Sequence, residues 1–196
     1  SVESFGLWHN DNKESELTFY RRFASLLDHI FIGTDIKLCD GETGSSASKA
    51  AKDLNAAIFC PGDFAATYPR KIDLLYKCTE AKITIELAAN EWKKSDTSQI
   101  VAMAQQSKNL RVNASILLNL VHRGVCDTLA MEWIGNSGYL YQLTWDPSEK
   151  VFFATLITSM HIPTNVAMIG DAVVLMKALF MLKVNDLILI YSKTQN

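Results

Sequence analysis

Asp73 stands in the stretch RKIDLLYK, and eighteen residues later Glu91 and Lys93 flank a tryptophan at the end of KITIELAANEWKK. In an extended strand residues two apart share a face. Glu91 and Lys93 therefore point the same way, together with Ile83, Ile85, Leu87 and Ala89, and Trp92 points the other way. An apolar face that turns charged at its end has a cost, because a lone buried carboxylate or ammonium is expensive unless it is paired or bound to metal. Carboxylates converging from two neighbouring strands can hold Mg²⁺ or Mn²⁺, hard cations that take oxygen ligands and keep several waters. Such a cation lowers the pKa of a bound water and offsets phosphate charge, and a lysine beside it orients the water or steadies the developing negative charge. A Glu-x-Lys triplet alone is a strand-end ion pair worth about 0–1 kcal/mol. The context raises it above that.

That context is a hairpin between helices. KIDLLYKC and KITIELAANEW are apolar runs separated by a few residues around Thr79 to Ala81, which predicts two antiparallel strands. Before them, Leu17, Phe19, Tyr20, Phe23, Leu26, Leu27 and Ile30 recur at helical spacing up to a stop at Gly33. The turn-rich DGETGSS leads into a second helix over 46–59, closed by Pro61 and Gly62. After the hairpin a long helix with Ser95, Asp96 or Thr97 as its cap runs to about Gly124. Next come three predicted strands, DTLAMEWIG, YLYQLTW and KVFFATLITSMHI, joined by NSG and DPSE turns. An apolar helix from about Thr164 and a short final strand or tail, DLILIYS, complete the chain. A tight turn at Thr79 to Ala81 would set Asp73 opposite Glu86 or Leu87, so bringing it to Glu91 requires a bulge or a wider loop, and Glu86 is the rival second carboxylate.

An aspartate followed on the next strand of a hairpin by Glu-x-Lys, then by a polar helix, resembles the PD-(D/E)XK nuclease superfamily. The resemblance implies an α/β, restriction-endonuclease-like fold, a central mixed β-sheet flanked by helices. It divides the chain into an N-terminal helical extension (1–45), an αβββαβ-type core (46–145) and a C-terminal strand-helix addition (146–196). It assigns Asp73, Glu91 and Lys93 as catalytic. Asp73 and Glu91 become ligands of Mg²⁺ or Mn²⁺, with the backbone carbonyl of Trp92 and, more remotely, Glu42 as further ligands. It points to Gln105, Gln106, Lys108 and Arg111 on the next helix as contacts to nucleic acid. The proline that often precedes the superfamily's aspartate is absent; Ile72 stands there. The activity implied is metal-dependent hydrolysis of nucleic-acid phosphodiesters, DNA favoured over RNA and internal over terminal cutting. The alternative is a module that keeps the fold, without turnover, and binds nucleic acid or protein.

Composition sets the outer limits. The 196 residues are 48% hydrophobic with a formal net charge of −2, enough for a real core and without the bulk basicity of a general polyanion binder. Any phosphate must be met by a local patch. Cys39, Cys60, Cys78 and Cys126 have no zinc-like spacing, which favours free thiols. The polar N-terminus lacks a secretory pattern, and the apolar segment 166–182 is interrupted by Asp171 and Lys177. The expectation is an intracellular protein of nucleus or cytoplasm, not secreted and not membrane-bound, next to a further domain of a longer chain. Histidines 29, 122 and 161 read as structural, and the aromatics Tyr139, Tyr141, Trp145, Phe152 and Phe153 read as core.

Overall fold

The computed structural model describes residues 15–60, 66–80 and 82–191, with the side chains of 16–19, 42, 80 and 191 outside that set. Among the described residues six strands form one sheet in the order of the chain: β1 (Lys37–Ser45), β2 (Arg70–Glu80), β3 (Ile83–Lys93), β4 (Asp127–Ile134), β5 (Ser137–Asp146) and β6 (Val151–His161). All neighbours are antiparallel except β3 and β4, which are parallel. A parallel pair needs a long crossover, and α3 (Gln99–Val121) supplies it. With α2 (Ser46–Phe59), α3 covers one face of the sheet; α1 (Glu16–Phe31) and α4 (Ile169–Tyr191) cover the other. The chain is thus α/β, a mixed sheet flanked by helices.

The helix α1 forms where Tyr20, Phe23, Leu27 and Ile30 repeat at helical spacing, and all four are buried. Its Phe23 receives two tryptophans of the sheet, Trp92 at 5.6 Å and Trp133 at 4.7 Å between ring centroids. Ser98, one residue beyond the expected caps, starts α3 by accepting from the Val101 N–H.

Two segments depart from expectation for identifiable reasons. The DGETGSS run, predicted as turn, lies largely within β1, so a strand of the sheet falls inside the segment assigned to a helical extension. Its glycines hide it: Gly41 at φ 72° sits in a bulge between Asp40 and Thr43 that an ordinary strand residue would resist. The DLILIYS segment, predicted as a short final strand or extended tail, is the end of α4 as far as Tyr191, with Ser192 outside the described residues. No glycine or proline interrupts 171–191, and Leu175, Leu179, Leu182, Asp186 and Leu189 are buried at helical spacing.

The strands β3 and β4 pair through only three residues each, Glu91–Lys93 with Glu132–Ile134. Earlier in β3 the backbone is served by side chains. The Asn113 amide of α3 accepts from the Ala89 N–H (2.8 Å) and donates to the Ala89 carbonyl (2.8 Å). Thr128 donates to the Leu87 carbonyl, and Asn90 accepts from the Met131 N–H. Polar groups this deep must be matched, and here amide and hydroxyl side chains take the place of a missing ladder. Replacing Asn113 with Ala strands both polar groups of Ala89, at about 1–3 kcal/mol for each buried group left unpaired. The expected outcome is a loss of about 2–4 kcal/mol in a urea titration; a loss below about 1 kcal/mol would mean that water replaces the amide.

Candidate functional site

The hairpin of β2 and β3 sets the site. The strands run to Glu80 and restart opposite it at Ile83, with Lys82 at φ 70°, so the turn lies later than Thr79 to Ala81 and shifts the register. A bulge follows: Lys77 faces Glu86 but Tyr76 faces Ala88, leaving Leu87 as the extra residue. Leu74 then faces Asn90, and the Asp73 carboxylate accepts from the Trp92 N–H at 2.8 Å. Asp73 thereby comes to the Glu91 end of β3. The bulge also changes which residues share a face. Glu86 and Glu91, five apart, both lie on the α3 side, one in a pocket with Ile116 and Asn119 and the other on Lys108. The single face expected for Ile83, Ile85, Leu87, Ala89, Glu91 and Lys93 is therefore broken at Leu87.

Glu86, the rival, has a different task. Its carboxylate accepts from the backbone N–H groups of Ser46 and Ala47 and from the hydroxyls of Ser45 and Ser46, at 2.7–3.2 Å. These are the free donors at the start of α2, where a negative charge is stabilised by the helix dipole. Four partners fix it as a cap.

Glu91 is 1% exposed and pairs with the Lys108 ammonium at 2.7 Å. Its carboxyl is pushed up to about 7, chiefly by burial and then by repulsion from Asp73, against the pull of Lys108 and Lys93. The Lys93 ammonium donates to the Trp92 carbonyl at 2.8 Å, the same oxygen that the resemblance offers as a ligand. On the opposite face the Trp92 indole packs against Tyr20 and Phe23. The Gly135 N–H donates to the Lys93 carbonyl at 2.7 Å. A Cβ on Gly135 would come within 2.6 Å of Ser95, so a glycine is needed to close the end of this strand.

The row continues onto the next strand. Glu132 lies level with Glu91 on the parallel neighbour, and it too is buried and followed by a tryptophan. Its carboxylate accepts from the Tyr139 hydroxyl at 2.7 Å. Burial raises its pKa, and Tyr139, Asn109 and Gln105 partly counter the rise. Gln105, Asn109 and Asn113, each four apart, form a buried amide stripe on α3 that lies along β3 and β4. The signals in the sequence are the repeated Glu-Trp pair and this four-residue spacing. At the other end of the row Glu42 falls in the β1 bulge beside β2, its side chain outside the described residues.

Of the helix residues implied for nucleic acid, Lys108 and Gln105 reach the row directly, on Glu91 and near Glu132. Gln106 joins it through the Tyr139 hydroxyl (3.1 Å). Arg111 stays on the exposed flank, donating to the Ser107 carbonyl of its own helix. Among the described residues, no group of three or more His, Cys, Asp and Glu side chains is arranged to hold a metal ion. The site is a pair of carboxylates between two lysines, with a third carboxylate on the next strand.

Compared with protein-family models, with the curated proteins and with the solved structures, the chain matches none. Among the described residues no helix is long and apolar enough to cross a membrane.

The raised carboxyl has a consequence for stability. Between its ordinary value of 4.5 and about 7, Glu91 is ionised in the unfolded chain and protonated in the fold, so its contribution to stability falls as pH rises through that window. Chemical unfolding at pH 5 and at pH 7.5 should show the parent losing on the order of 1–3 kcal/mol more than Glu91→Gln. Parallel pH profiles for the two proteins would refute the shifted carboxyl.

Proposed function

We propose that the chain is a divalent-metal-dependent phosphodiesterase of the restriction-endonuclease-like fold that cleaves nucleic acid internally, DNA in preference to RNA. The observation that carries this reading is the meeting of Asp73 with Glu91 and Lys93, on adjacent strands whose register depends on a bulge. The strand order supports it as well. Two antiparallel strands carrying the aspartate and Glu-x-Lys, then a helix crossing to a parallel strand, are the part of the order that the resemblance implies; α2 separates β1 from them.

The residues suit a cation that takes one or two carboxylates and fills its remaining positions with water and substrate phosphate. Asp73 and Glu91 would hold Mg²⁺ or Mn²⁺, and when bound it would supply a water acidic enough to attack phosphorus. Glu91 must give up its proton to do so, and the raised carboxyl makes this the pH-dependent step. Lys93 orients the attacking water and carries part of the phosphate charge. Lys108 lies within reach of the same phosphate once Glu91 turns to the metal.

The ion pair between Lys108 and Glu91 also favours a second reading, a nucleic-acid-binding module without turnover, because the ammonium already occupies the place of a cation. Cleavage of plasmid and of single-stranded DNA and RNA with Mg²⁺ or Mn²⁺ separates the two. Activity that falls at least 10²-fold in Lys93→Ala and in Asp73→Asn supports catalysis; equal activity in parent and variants removes it. A calorimetric Mn²⁺ titration adds a second check. Binding at pH 6 should release about one proton, and at pH 8 almost none, since Glu91 is then ionised. Heat indistinguishable between the parent and Glu91→Gln would exclude this carboxylate as a ligand.

A further inference from the structure

The two edges of the sheet are built differently. The β1 edge is nine residues long, with Lys37, Asp40 and Glu42, two glycines and a bulge. These are the devices by which an edge strand is protected from pairing with another chain. At the other edge, β6 is eleven residues long and has no charged residue, glycine or proline from Val151 to Met160. No described strand lies beyond it. Its middle is open on both faces: Phe153, Ala154, Thr155, Leu156 and Ile157 are exposed in succession, Leu156 at 61%. The one interruption is the bulge at Ile157, where Leu140 and Tyr141 of β5 face Thr158 and Leu156.

We infer that β6 is an interaction surface for a second copy of this chain, the two β6 strands pairing antiparallel across a two-fold axis to make one continuous sheet. Unpaired N–H and C=O groups along an extended edge call for a strand as partner. Symmetry selects the copy. A strand laid antiparallel on itself sets each residue before the axis opposite one equally far beyond it, so a single charge recurs on both chains and a pair of like charges can meet. An uncharged run avoids this at every register. The contact closes on itself, and both exposed edges are used up together. The paired strands would also cover Phe153 and Leu156 of each copy, apolar surface otherwise left in water. This inference is independent of any chemistry at Asp73 and Glu91.

Sedimentation velocity of the 196-residue chain from about 1 to 100 μM tests it, because a main-chain interface with few apolar anchors has a Kd on the order of micromolar. The expected result is a shift from 21.9 kDa to twice that mass. Leu156→Lys and Phe153→Lys, at exposed positions, should each weaken the dimer at least tenfold, whereas Ile100→Lys on α3, 81% exposed, should leave it unchanged. Hydrogen exchange on the parent provides a reading that does not depend on variants: the amides of 152–158 should be better protected at 100 μM than at 1 μM. A monomer throughout, a mass beyond the dimer, a dimer indifferent to both lysines, or exchange independent of concentration would each overturn the proposal.

Discussion

The amide of Asn113 stands in for a strand. Where β3 has no neighbour on its β4 side, that one side chain meets both polar groups of Ala89, as an adjacent backbone would. The two three-stranded antiparallel halves of the sheet are thereby held side by side by α3 and joined directly through only three residues of β3 and three of β4. Everything of chemical interest lies at that junction. Glu91 and Glu132 belong to the short ladder itself, Asp73 is one strand away, and Lys108 descends from the same helix as Asn113, five residues earlier. If the amide lets go, the row has no common frame.

The electrostatics of the row follow from that architecture. A carboxylate at the centre of a covered sheet loses its water, and Glu91 has a second carboxylate for a neighbour, so its proton is held tightly despite two nearby lysines. Glu86, equally a glutamate of β3, faces the donors of a helix N-terminus instead of another acid. One strand thus places two identical side chains in opposite electrostatic settings. The difference lies entirely in what packs above them.

Much of this is legible in the sequence. The alternation of KIDLLYKC and KITIELAANEW announced the hairpin, helical spacing marked α1, α2 and α3, and the triad of Asp73, Glu91 and Lys93 drew attention as charge at the end of an apolar face. Register was beyond reach, since it rests on where the turn closes and on an extra residue at Leu87, and neither has a local signature in side-chain type. Glu132 escaped notice because a lone acid between apolar residues acquires meaning only when its strand is laid parallel to β3. β1 was hidden by its glycines, and the end of α4 by a run of Leu and Ile that suits a strand as well as a helix.

The bulge at Leu87 behaves like a frameshift within a folded strand. Upstream, β3 is read in one phase, in which Glu86 caps α2; downstream it is read in another, in which Trp92 enters the aromatic nest around Phe23 and Glu91 turns to α3. Each half can drift in composition without disturbing the other. Spacing and bulge go together. Without the bulge, the odd spacing of Glu86 and Glu91 would set them on opposite faces, turning an indole toward the lysines and a carboxylate into the hydrocarbon layer, so the strand must keep its irregularity for as long as it keeps its count of residues.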